Sequence, residues 1–219
     1  SFASGVRALA EILGSKGAIL PVTVQKATLV AELTDGSRIF GEAAIDIPDV
    51  SQRAAIRDVY LVPHHHDGIS VYPPVLDAIA ESETIILGPG DLFTSIIPNL
   101  IVPGMKEKLQ SVSAPIYHVV NIMTKFGETH NYSCIDFVQK LEEGIGREVQ
   151  TVICNRTQPE AQILAEYRKQ LAEFVEFTDD QQFWRDRKCH LADLLDTSGS
   201  IVRHDSEKLA LLIKEIILA

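Results

Sequence analysis

The sequence contains little of what a disulfide framework, a structural zinc site or a nucleic-acid surface requires. Its three cysteines are Cys134, Cys154 and Cys189, and no two of them have CxxC spacing. The formal net charge of −10 disfavours nucleic acids and anionic membranes as partners, because both attract basic surfaces. No apolar run reaches the length of about 18 residues that suggests a membrane span. We therefore expect a cytoplasmic protein in a reducing compartment, with no nucleic-acid partner and no membrane span.

The pattern of apolar residues predicts one α/β domain over residues 1–219. Hydrophobic residues make up 46% of the chain, which is enough for a substantial core. Two strand-like segments flank Thr34-Asp35-Gly36, so a β-hairpin insertion is expected at about residues 22–46. From Ile56 onward, apolar strands (IRDVYLV, TIILG, IYHVVN and VQTVICN) alternate with helical segments. This alternation predicts a Rossmann-like, mostly parallel sheet covered by helices.

Several helix boundaries can also be read from the sequence. Helices are expected to begin at Pro73, near Met105 and after Pro159, since proline suits the first helical turn. A further helix spans about 133–143. A tail helix in SEKLALLIKEIIL would present one apolar face. That face consists of Leu209, Leu212, Ile213 and Ile216.

Ligands of open α/β sheets bind beyond the carboxyl ends of the strands, which here directs attention to three loops. These loops are GPGDLFTS, NIMTKFGETHNY and NRTQ. The first combines glycines, which let a ligand approach the backbone, with hydroxyls that can donate to a phosphate or a sugar. By spacing alone, each loop could equally be a structural turn. The candidate ligand-binding residues in the loops are Gly88, Gly90, Asp91, Leu92, Thr94, Ser95, Asn121, Thr124 and Glu128.

Three separated motifs make the chain resemble the YvcK and CofD family. They are ILGPGDLFTSIIPNLIVPGMKEKL, NIMTKFGET with the downstream Asp136, and the closing VRHDSEKLA. The resemblance is to the gluconeogenesis-factor branch, whose pattern is GPGSLYTSxxPNLLVPG and NLMTQxGET. It covers nearly the whole chain, which corresponds to the C-terminal two thirds of the family domain. The family's upstream GGGTG segment has no counterpart in this sequence.

The resemblance implies a regulator rather than an established enzyme. It implies binding of a nucleotide diphosphate ligand, typically UDP-N-acetylglucosamine, and a role in cell shape during gluconeogenic growth. It also implies that Tyr167 and Arg203 help to form the ligand site. Judged by position alone, Tyr167 could belong to a core stripe and Arg203 to a surface ion pair. Asp136, three residues after Ser133, is typical of a helix capping box.

Some residues depart from the branch pattern. Phe93 replaces tyrosine, Phe137 stands where histidine is common, and Asp91 replaces serine. Asp91 could face a sugar hydroxyl, recruit a metal ion, or turn inward to accept loop N–H groups. We favour the inward arrangement, because aspartate after glycine readily forms a local Asx turn.

Two alternatives to the regulator remain. One is a 2-phospho-L-lactate transferase-like enzyme of deazaflavin coenzyme biosynthesis, for which Mg²⁺ would be the cofactor. The other is a structural or partner-binding protein, and a homo-oligomer is compatible with all three. No cofactor and no metal site are predicted for the regulator. The run from His64 to Asp67 contains metal-binding residue types, but its spacing does not organise them into a site.

Overall fold

A three-stranded antiparallel sheet forms the first part of the molecule. The computed structural model describes residues 1–46, 53–66 and 68–218. Strands β1 (Ala27–Leu33), β2 (Arg38–Phe40) and β3 (Ile56–Pro63) are arranged in the order β2-β1-β3. The β1–β2 connection confirms the expected hairpin: Gly36 has φ +85° and Asp35 Oδ1 accepts the Ser37 N–H at 2.9 Å. The assignment of β3 to the parallel sheet was wrong, because β3 pairs antiparallel with β1.

A four-stranded parallel sheet forms the second part. Its strands are β4 (Ile85–Leu87), β5 (Ile116–Val119), β6 (Thr151–Asn155) and β7 (Lys188–Ala192), in the order β4-β5-β6-β7. All three strand pairs are parallel. This sheet and its helices confirm the predicted Rossmann-like α/β architecture. The edge strand β7 was not predicted.

The helices begin and end largely where local chemistry predicts. Ser133 and Asp136 form the capping box of α6, and Asp205 Oδ1 accepts the N–H groups of Glu207 and Lys208 at the start of α9. Pro73 is the first residue of α3. The helices are α1 (Phe2–Ile12), α2 (Glu42–Asp46), α3 (Pro73–Glu81), α4 (Ile97–Leu100), α5 (Met105–Ser111), α6 (Cys134–Ile145), α7 (Ala161–Lys169), α8 (Gln181–Trp184), α9 (Ser206–Leu218) and a π-helix (Leu92–Ile96).

Two apolar clusters cover the faces of the parallel sheet. The larger cluster joins strands of both sheets with α4, α5 and α6. The smaller one packs the predicted apolar face of α9 against Val119 and Ile153. Cys134, Cys154 and Cys189 are free thiols, the first two of them buried. Among the described helices, none is both long and apolar enough to cross a bilayer.

Candidate functional site

A cavity of about 930 Å³ opens at the carboxyl end of the parallel sheet. Its walls come from residues 89–91 after β4, residues 121–126 after β5, the end of α7 and residues 202–204 before α9. Because parallel strands end at the same edge, loops that are far apart in sequence meet there. The volume lies within the range of about 300–1,000 Å³ that small-molecule sites usually have.

The first loop can form only because its leading residue is glycine. Gly88 has φ +89°, and a Cβ at this position would lie 2.7 Å from the carbonyl oxygen of Val119. The backbone then enters the π-helix at Asp91. The Asp91 side chain makes no capping hydrogen bond to that helix, so the expected inward Asx arrangement was wrong. Its Oδ2 instead accepts a hydrogen bond from Lys125 Nζ at 2.7 Å.

The second loop is held in place by the segment that follows α7. Thr124 N–H donates to the Glu173 carbonyl at 2.7 Å, and the Glu173 N–H donates to Thr124 Oγ1 at 2.9 Å. Asn121 differs, since its Oδ1 is buried and receives no hydrogen bond from any described residue. Thr124 therefore mainly fixes the loop, and Asn121 lines the cavity beside it.

Lys125 lies among three carboxylates that come from separate parts of the chain. Its Nζ is 2.7 Å from Asp91, 3.1 Å from Glu128 and in contact with Asp46. Burial opposes the charged ammonium, but hydrogen bonds to Asp46 and Asp91 outweigh that effect and raise the pKa of Lys125. Burial raises the pKa of Glu128 to about 7, an effect that Lys125 partly offsets. The hydrogen bond from Lys125 lowers the pKa of Asp46.

Arg53 provides a second cation next to this cluster. It donates to the Ile45 carbonyl oxygen at 2.5 Å and packs over Gly127, where a Cβ would lie 2.8 Å from its Cδ. Burial lowers the pKa of Arg53, while the charge of Glu128 acts in the opposite direction. Gly127 has φ +78°, so glycine both permits the turn and leaves room for the guanidinium.

Residues 202–204 form the wall on the side of α9. The Tyr167 hydroxyl accepts the Val202 N–H at 3.0 Å and so attaches this segment to α7. Arg203 is exposed and lines the cavity. His204 also lines it, and burial lowers the pKa of its imidazole.

The cavity brings together six of the residues predicted from sequence. These six are Gly90, Asp91, Asn121, Thr124, Tyr167 and Arg203. The other five are not part of its lining. Gly88 packs on β5, Leu92 lies in the core, Ser95 is exposed, and the buried Thr94 and Glu128 lie behind the wall.

Sequence reasoning missed Lys125 and Asp46, both of which line the cavity. A signal for Lys125 was present, because it stands where the branch pattern NLMTQxGET has glutamine. For Asp46 there was no local signal, since the residue simply ends a short helix.

The structure brings together a different set of possible metal ligands from the histidine-rich run considered in the sequence. Within the described residues, Asp46, Asp91 and Glu128 form the group whose oxygen atoms are close enough for a shared ion, all within 4.8 Å. His64 instead pairs with the Thr28 hydroxyl at 2.8 Å. Asp67 lies outside the described residues.

Comparisons with known proteins agree with one another. The family model described as 2-phospho-L-lactate transferase CofD matches residues 1–195. A relative from Thermotoga maritima is 36% identical over 219 residues, which cover 99% of this chain and 67% of the relative. A Bacillus subtilis protein named gluconeogenesis factor is 30% identical over 217 residues, which cover 99% of this chain and 66% of that protein.

A solved structure shows the same architecture. It is the crystal structure of a UPF0052 family member from Bacillus halodurans, which matches with a TM-score of 0.86 at 27% identity. The match covers 97% of this chain and 67% of that one. The chain thus spans about two thirds of the length of the proteins it matches.

Proposed function

Since this chain belongs to the gluconeogenesis-factor branch of the CofD family, we propose that it is a regulatory protein whose cavity binds a nucleotide diphosphate sugar. UDP-N-acetylglucosamine is the ligand proposed, and control of cell shape during gluconeogenic growth is the proposed role. The observation that carries the proposal is the 930 Å³ cavity at the carboxyl edge of the sheet, with an exposed arginine at its mouth.

The charges that line the cavity support an anionic ligand. Lys125, Lys169 and Arg203 line it together with two acidic residues, Asp46 and Asp91. Lys125 is ion-paired with Asp46, Asp91 and Glu128, and Lys169 with Glu166, so Arg203 is the lining cation that has no ion pair among the described residues. A guanidinium donates two parallel hydrogen bonds, which suits it to a diphosphate.

Apolar and polar groups around these charges suit the rest of such a ligand. Phe126 and Tyr167 offer ring surfaces in the lining, and rings of this kind pack against bases and sugars. Asn121 also lines the cavity, and a side-chain amide can both donate and accept hydrogen bonds with a sugar or a base.

Calorimetric titration of Arg203→Ala tests the proposal. We expect UDP-N-acetylglucosamine binding to weaken by about 1.5–3 kcal/mol, roughly ten- to a hundredfold, because one charged hydrogen-bonding group is lost. The free energy of unfolding should hardly change, since the Arg203 side chain is exposed. Arg185→Ala is the matched control, because Arg185 is exposed and lies outside the cavity lining. Equal affinities for Arg203→Ala and the unmodified protein would contradict the proposed role.

A phospholactate-type transferase is the second candidate, and the description of the matching family favours it. That reaction would cleave the nucleotide diphosphate and release a nucleoside monophosphate as the group moves to a deazaflavin. Chromatography of the nucleotide after incubation with both substrates separates the candidates. An intact nucleotide supports the regulator, and accumulation of the monophosphate supports the transferase.

A further inference from the structure

The three carboxylates around Lys125 have the chemistry of a divalent-cation site. Asp46 ends α2, Asp91 precedes the π-helix, and Glu128 lies in the loop after β5. Their oxygens lie within 4.8 Å of one another. Carboxylate oxygens are the preferred protein ligands of Mg²⁺ and Mn²⁺. The Mg²⁺ expected for a transferase does not fit here as the side chains stand, because Lys125 Nζ lies among the three carboxylates.

Glu128 gives independent evidence that this position requires a positive charge. Its side chain is only 1% exposed, and no backbone group or neutral side chain among the described residues hydrogen-bonds to its carboxylate. A buried carboxylate of this kind is costly unless a cation lies next to it. Lys125 Nζ, at 3.1 Å, is such a cation.

The ion pair between Asp91 and Lys125 joins the loop after β4 to the loop after β5. The two side chains are 2.7 Å apart. The negative charge of the first loop is therefore matched by a positive charge from a position 34 residues away.

We propose that Lys125 is a resident cation that occupies the position of a divalent metal ion among Asp46, Asp91 and Glu128. It offsets part of the negative charge of the three carboxylates, keeps metal ions out, and leaves an ammonium in the cavity wall for the phosphates of the ligand. The part that concerns phosphates rests on the proposed function. The exclusion of metal does not, so it can be tested without nucleotide.

Titration with Mn²⁺, followed by electron paramagnetic resonance, tests this exclusion directly. Lys125→Gln removes the charge but keeps a polar side chain, and it leaves three carboxylates without their ammonium. We expect this variant to bind Mn²⁺ at least about tenfold more tightly than the unmodified protein, because a like charge a few ångströms from the ion is removed. Lys125→Arg keeps the charge and should bind Mn²⁺ as weakly as the unmodified protein. Lys125→Gln combined with Glu128→Gln should lose most of the gain.

A second variant guards against unfolding of Lys125→Gln. Asp91→Ser combined with Lys125→Gln removes one charge of each sign and replaces the ion pair with two neutral polar side chains. With two carboxylates left, it should bind Mn²⁺ more tightly than the unmodified protein and more weakly than Lys125→Gln. Thermal unfolding establishes that each variant is folded.

Two results would overturn the proposal. One is Mn²⁺ binding to the unmodified protein that is as tight as binding to Lys125→Gln. The other is a folded variant without Lys125 that gains no Mn²⁺ affinity. The Mn²⁺ titrations contain no nucleotide. A failure of nucleotide-sugar binding would therefore not change the Mn²⁺ affinity of the unmodified protein or of the variants.

Discussion

At the residue scale, Tyr167 holds part of the site in place through a single hydroxyl. Its oxygen accepts the Val202 N–H at 3.0 Å, and Val202 directly precedes Arg203. The ring also lines the cavity. The residue therefore has two separable contributions, a ring that can contact a ligand and a hydroxyl that positions the arginine segment.

Tyr167→Phe separates these contributions. The ring stays while the hydrogen bond is lost, so we expect nucleotide-sugar affinity to fall by about 1 kcal/mol, roughly fivefold. Amide hydrogen exchange at Val202 should become faster in the free protein, which a loss of direct ligand contact alone would not cause. Tyr60→Phe on β3, outside the cavity lining, is the control. Unchanged exchange at Val202 would show that the hydroxyl does not hold the segment.

The site could be predicted from sequence only where local patterns determine it. The glycine-rich loop and Asn121 follow the ends of β4 and β5, so their meeting at one edge follows from the sheet type. The contacts of Asp91 could not be predicted in this way. The Asx-turn rule predicted that its carboxylate would accept a neighbouring backbone N–H. Its observed partner, Lys125, is 34 residues away, and only the folded chain brings the two together.

At the element scale, β5 carries an ionisable group into the core. All four of its residues are buried, and His118 is fully buried with Nδ1 3.1 Å from the Leu87 carbonyl oxygen of β4. Burial lowers the pKa of His118 to about 4 from its usual 6.5. The imidazole is therefore neutral in the native sheet at pH values where the unfolded chain already binds a proton.

Acidification should consequently destabilise the protein through His118. Between about pH 6.5 and 4 the unfolded state binds the extra proton. The free energy of unfolding should therefore fall by about 1.4 kcal/mol per pH unit from this group. Glu128 acts with the opposite sign. Its pKa is raised to about 7, so its contribution to the free energy of unfolding is lost as the pH rises toward that value.

His118→Asn isolates the histidine, because the asparagine Nδ2 takes the position of the imidazole Nδ1 and can still donate to the Leu87 carbonyl oxygen. The remaining groups titrate in both proteins. Urea unfolding at several pH values between 4.5 and 7 should show a smaller loss of stability in the variant on acidification. Parallel pH profiles for the two proteins would show that His118 is not kept neutral by the sheet.

The elements differ in how far the sequence predicts them. Caps and prolines place α3, α6 and α9 well, because these signals act within one helical turn. The pairing of β3 could not be predicted in the same way, since its antiparallel partner β1 is chosen by long-range packing. Strand β7 (Lys188–Ala192) was missed because it is an edge strand of mixed polar composition, without a continuous apolar run.

At the scale of the whole molecule, segments that are far apart in the sequence line the cavity. The loops after β4 and β5 extend from the parallel sheet, while residues 202–204 lead into α9 on its other face. Asp46 adds a contribution from α2, beside the antiparallel sheet. A ligand in this cavity would therefore contact segments from most of the chain, and it should stabilise the native state when it binds.

Amide hydrogen exchange with and without saturating UDP-N-acetylglucosamine tests the central claim most directly. The account predicts slower exchange in residues 89–91, 121–126 and 202–204, because these segments line the cavity. The β1–β2 hairpin, residues 27–40, lies outside the lining and should exchange at the same rate in both samples. Protection confined to segments away from the cavity, or no protection at saturating ligand, would contradict the account.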